Sequence, residues 1–94
     1  MIVVTLSYKK PLADVDAVLT EHLAFLDTYY AQKKFLVSGR RENRIGGVII
    51  VLVDSVTEAK QIMAQDPFFI HGIADYDFMR FEATKYLDEI NPLI

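Results

Sequence analysis

Apolar positions along the chain fall into two spacings, and the switches between them outline the elements. Residues 2–8, opening Ile2-Val3-Val4-Thr5-Leu6, are short and rich in β-branched side chains, and Lys9-Lys10-Pro11 stops them, so a strand closed by a turn is expected. Val15, Val18, Leu19, His22, Leu23, Leu26 and Tyr30 then recur at threes and fours, with Glu21, Asp27, Thr28 and Gln32 opposite. That is one buried face of a long helix, which Asp14 or Asp16 would cap. Phe35–Gly39 reads as a second strand, and Arg40 to Gly47 as a polar turn. The unbroken run Val48–Val53 predicts a central strand covered on both faces. Ser55-Val56-Thr57-Glu58 has capping-box spacing, so a second helix begins at Asp54 or Ser55, buries Val56, Ala59, Ile62 and Met63, and stops ahead of Pro67. Ile73 to Lys85 predicts a fourth strand whose phase shifts between Tyr76/Phe78 and Met79/Phe81, as a bulge or burial of both faces would explain. Tyr86 to Ile94, which contains Pro92, reads as a short helix or an arm.

The order β-α-β-β-α-β is the split pattern of the ferredoxin-like fold, an α+β architecture with an antiparallel sheet, here one domain over residues 1–94. Helices cover one face of such a sheet. Because the strands are apolar in both phases, the expected cover for the other face is a second copy of the chain, a homodimer. Composition supports this, since 52% of the 94 residues are hydrophobic, slightly more than so small a monomer can hide. A net charge of −3 and the absence of aromatic residues from Val48–Val53 argue against a nucleic-acid partner. No apolar stretch approaches the roughly 20 residues of a membrane span. Ile2–Leu6 lacks the basic region and cleavage site of a signal peptide, so no membrane association and a cytoplasmic location are expected.

Without cysteine, disulfides, cysteine–zinc sites and thiol nucleophiles drop out. Histidine is the side chain suited to proton transfer near neutrality, and the chain has two. His22 falls on the inward face of the first helix, either as a core residue with its nitrogens satisfied or as a base. His71, beside Gly72, reads as exposed. Asp66, before Pro67-Phe68, is placed either to cap the turn that follows or to accept a hydrogen bond from a histidine ring. Their separation of 44 residues decides nothing. Arg40, Arg41 and Arg44 form either a solvated turn or a clamp for a carboxylate or phosphate. A metal site would have to combine His22, His71 and Asp66, and no His-x-x-x-His spacing supports it, so none is expected.

These residues resemble the YCII-related family, small proteins of the dimeric α+β barrel type. The resemblance is carried by His22 with Phe25-Leu26 after it, Ser38-Gly39, Gly46-Gly47, Ser55-x-x-Glu58-Ala59 and Asp66-Pro67-Phe68-x-x-x-Gly72. It implies a protomer whose sheet packs on a second copy, and a pocket where the first helix, the second strand and the Asp-Pro-Phe loop converge. It also implies a His–Asp site, matched by His22 and Asp66, and, from one subgroup, lyase-type activity on chlorinated hydroxyquinols. The turn Arg40–Arg44 lies outside the pattern. The expectation is a cofactor-free enzyme of lyase or isomerase type in which His22 takes a proton from a small cyclic or aromatic hydroxylated ligand and Asp66 orients the imidazole. Ser38, Arg40 and Phe68 would contact that substrate. The alternatives are a dimeric module that binds or senses a small molecule without chemistry, and a dimerisation unit in which His22 is structural.

Overall fold

A computed structural model describes residues 1–94. Strand β1 (Ile2–Tyr8) leads into helix α1 (Leu12–Ala31), followed by β2 (Phe35–Arg40), a tight turn at Glu42–Arg44, and β3 (Gly46–Val51). Helix α2 (Val56–Met63), the single-turn helix α3 (Pro67–Ile70), β4 (Ala74–Arg80) and a 3₁₀ segment at Asp88–Leu93 complete the chain. The sheet has order β2-β3-β1-β4, and every neighbouring pair is antiparallel. This is the expected α+β ferredoxin-like arrangement.

Alternation along the strands explains the core. Ile2, Val4 and Leu6 of β1 share a phase with Ile49 and Val51 of β3, and all are buried under the helices. Val15, Phe25, Tyr29, Ala59, Met63 and Phe68 close over them. The opposite phase forms a different surface. The register aligns Val37, Ile50, Val3 and Met79 in one row across all four strands, and Val37 and Met79 are more than half exposed. Within one chain, β3 is therefore buried on its helix face, while Val48 and Ile50 of the opposite phase are only partly buried.

Four local expectations change. Helix α1 starts directly after Pro11 with no side-chain cap, which leaves Asp14 and Asp16 inside the helix rather than at its entry. Its buried residues are Val15, His22, Phe25 and Tyr29, while Leu19 and Leu23 are exposed because they border a cavity instead of the core. The fourth strand stops at Arg80 and pairs with β1 without a register shift, so its two apolar phases reflect two faces rather than a bulge. The bulge sits in β2, between Phe35 and Val37. Ser55 does cap α2, its Oγ accepting from the Glu58 backbone N–H at 3.0 Å. Gly46 is required where β3 crosses β1: a Cβ there would meet the Leu6 carbonyl oxygen at 1.8 Å, an overlap no side-chain rotation relieves.

Candidate active site

The chemistry collects where α1 meets the short helix α3. Pro67 begins α3, with a ring preset for the first helical position, and Asp66 is its N-cap, Oδ1 accepting from the Phe68 backbone N–H at 3.0 Å. The same oxygen lies 2.7 Å from His22 Nδ1. The Tyr76 hydroxyl of β4 donates to Oδ2 at 2.5 Å. Asp66 is fully buried, and a buried carboxylate is costly unless its oxygens are hydrogen-bonded. Three donors from three elements meet that demand. The capping and histidine-binding readings of Asp66 are therefore both realised, by one oxygen.

One heptad along the same face of α1, the Tyr29 hydroxyl donates to Gln65 Oε1 at 2.8 Å. Thus α1 holds the loop before α3 at two successive residues. Phe68 fixes the imidazole plane: its ring stacks on His22 with centroids 3.9 Å apart and planes 6° from parallel.

Because Asp66 accepts from its other two partners, the hydrogen between it and His22 belongs to Nδ1, which leaves Nε2 with the lone pair. Nε2 has no protein partner, and no buried side-chain nitrogen or oxygen in the structure is left without one. Nε2 is therefore reached by solvent, and His22 is one of the residues that border a cavity about 380 Å³ in volume. Leu19, Leu23 and Leu26 supply its apolar wall, and Ser38, Arg40 and Phe68 all line it. The Ser38 hydroxyl is shared with Tyr30 at 2.7 Å. His71 lies apart on the surface, 3.9 Å from Glu21, and no group of three His, Cys, Asp or Glu side chains is arranged to hold a metal. No helix is long and apolar enough to cross a membrane.

The model of the YCII-related domain matches residues 1–82. The chain belongs to the YCII-related family. Its structure is similar to that of a family-sized chain from Burkholderia phenoliruptrix AC1100, the 5-chloro-2-hydroxyhydroquinone dehydrochlorinase TftG, solved in complex with 2,5-dihydroxybenzoquinone. The TM-score is 0.72 at 21% identity, covering 87% of this chain and 94% of that one. At that identity the likeness establishes the shared fold. No curated protein matches the sequence.

Two residues escaped the sequence reading. Tyr76 was legible only as part of a strand, and Tyr8 only as packing; what reveals them is the side on which each phenol emerges. Burial, and then the negative charge and hydrogen bond of Asp66, push the Tyr76 phenol well above its ordinary value. Burial also raises Tyr8. Both folded values lie above the unfolded one of about 10, so the stability linked to these phenols is complete below that pH. It is lost as pH rises further, because the unfolded chain ionises first. Tyr76→Phe is expected to flatten the alkaline fall in stability, followed by urea unfolding between pH about 9 and about 11. An unchanged slope would contradict a carboxylate-held phenol.

Proposed function

We propose that the chain is a small-molecule enzyme of lyase or isomerase type, with His22 as general base, Asp66 as the group that orients it, and a small cyclic or aromatic hydroxylated compound as substrate. The observation that carries the reading is the 2.7 Å contact between His22 Nδ1 and Asp66 Oδ1, with Nε2 reached by solvent and His22 bordering an otherwise largely apolar cavity. A base at that nitrogen takes a hydroxyl proton from the ring substrate. Returned to the ring carbon that bears the leaving group, the proton gives the keto tautomer. Loss of a second proton then drives out that group with its bonding electron pair. The net change is elimination of HX, with no oxidant or reductant required. The name of TftG, a dehydrochlorinase solved with a dihydroxybenzoquinone, supports this substrate class. Proton transfer of this kind needs no cofactor, since His22 and Asp66 supply it. Phe68 presses the imidazole into place, and Ser38 and Arg40 offer donors to a substrate oxygen.

The test uses 5-chloro-2-hydroxyhydroquinone as probe and chloride release as readout. His22→Asn is expected to lower the rate by about 10²–10⁴-fold while the protein stays folded, and Asp66→Asn to lower it less. Melting temperatures on the same proteins separate the outcomes. Full activity in folded His22→Asn rejects the base. Ligand binding without turnover in the wild type favours the binding-module alternative.

The same reading includes a homodimer formed through the helix-free sheet face, supported by the Val37–Ile50–Val3–Met79 row, which a monomer would leave in water as an apolar patch. Sedimentation at micromolar concentration is expected to give twice the 10.7 kDa chain mass, and Val3→Lys with Ile50→Lys to give monomers. A stable wild-type monomer contradicts the dimer.

A further inference from the structure

The reaction proposed above takes its proton at His22 and draws on Arg40 only as a donor to a substrate oxygen; the arginines that line the same cavity allow a more specific reading. The hairpin joining β2 to β3 brings Arg40 and Arg44 to the lining of this cavity. The three arginines of this hairpin differ in what holds them. Arg41 is spent on the fold, donating to Ser7 Oγ at 2.9 Å and to the Leu6 carbonyl at 3.3 Å. Arg44 is fixed by Asp16 of α1 through a single guanidinium nitrogen, 2.9 Å from Oδ1, which leaves its remaining donors free. Arg40 has no ion-pair or side-chain hydrogen-bond partner at all, so it is a cation at the cavity without a neutralising carboxylate.

The backbone holds this arrangement at some cost. Asn43 (φ 64°) and Arg44 (φ 52°) are consecutive residues in the left-handed region, which an arginine adopts only against local preference. That conformation, together with the bond to Asp16, keeps Arg44 on the cavity side of the hairpin. Tyr8 joins them. Its hydroxyl has no protein partner, yet no buried polar side-chain atom lacks one, so the hydroxyl is reached by solvent, on a residue that lines the cavity. The ring is held edge-on to Phe68 at 5.9 Å.

We propose that the hairpin end of the cavity is an anion-binding subsite: Arg40 and Arg44 fix a carboxylate or an acidic ring oxygen of the ligand, and the Tyr8 hydroxyl donates to it. The substrate is then a small planar ring acid that enters as an anion, its charged group at the arginines, its apolar edge on Leu19 and Leu23, and its reacting hydroxyl at His22 Nε2. This rests on the reading of the cavity as the substrate site and adds the charge of the ligand and the residues that select it. Two guanidinium forks around one oxyanion give charge-assisted bonds that a neutral analogue cannot match.

Salicylate and its neutral isostere salicylamide are suitable probes, titrated into the full chain at one ionic strength and followed by two-dimensional NMR. The wild type is expected to bind salicylate about tenfold more tightly than the amide, with shifts at His22 and Leu23. Arg40→Gln combined with Arg44→Gln is expected to bring salicylate down to the affinity of the amide, with a much smaller effect on the amide itself. His22→Asn is expected to keep the preference. Preference surviving in the double arginine variant, or lost in His22→Asn, overturns the subsite. Equal affinities with the cavity signals still moving remove the subsite alone and leave the cavity as the binding site. Silence of the cavity signals with both probes removes both.

Discussion

The Asp66 carboxylate, buried with no solvent contact, is the constraint on which the rest of the structure depends. Such a group is stable only where donors reach both of its oxygens, and leaving a buried polar group unsatisfied costs about 1–3 kcal/mol, more for a charged one. The donors come from α1, from the backbone of α3 and from β4. Satisfying one side chain therefore fixes the approach of three elements to one another. Fold and site share this joint: the contacts that let the chain bury a carboxylate also hold an imidazole at the border of a cavity.

Much of this was written locally in the sequence. The strand–helix order, the Ser55 cap and the Pro67 helix start follow from short-range rules about β-branched runs, hydroxyl caps and proline's missing N–H, and the chain obeys them. The His22–Asp66 contact does not follow from such rules, because 44 residues separate the partners and only the tertiary packing of α1 on α3 closes the gap. Periodicity misplaced the buried face of α1 for a related reason. Leucines at helical spacing signal an apolar environment, and for Leu19 and Leu23 that environment is the cavity wall rather than the core. Tyr76 was hidden by the two apolar phases of β4, which in sequence look like irregular alternation and in space are two different surfaces. The arginines were visible as a cluster, but composition alone cannot separate Arg41, which ties β1, from Arg40 and Arg44, which face the cavity.

The two faces of the sheet divide the work. On the helix side, the apolar strand residues become core, and the cavity that His22 borders is lined from α1 and the β2–β3 hairpin. On the other side the apolar row runs uninterrupted from Val37 to Met79, away from His22. Separation of this kind lets the surface for the proposed second copy and the cavity lining vary independently within one fold. Under the proposed anion subsite, Arg40 and Arg44 would set ligand preference without touching the contact between His22 and Asp66.

The account stands on the protonation of one ring. Long-range proton–nitrogen correlation NMR of the His22 imidazole, recorded on the unliganded protein where the ring is neutral, reports which nitrogen carries the hydrogen. The account predicts the Nδ1–H tautomer, with a slowly exchanging, downfield-shifted proton that is lost in Asp66→Ala. A His22 ring carrying its hydrogen on Nε2 would contradict it, because no lone pair would then face the cavity.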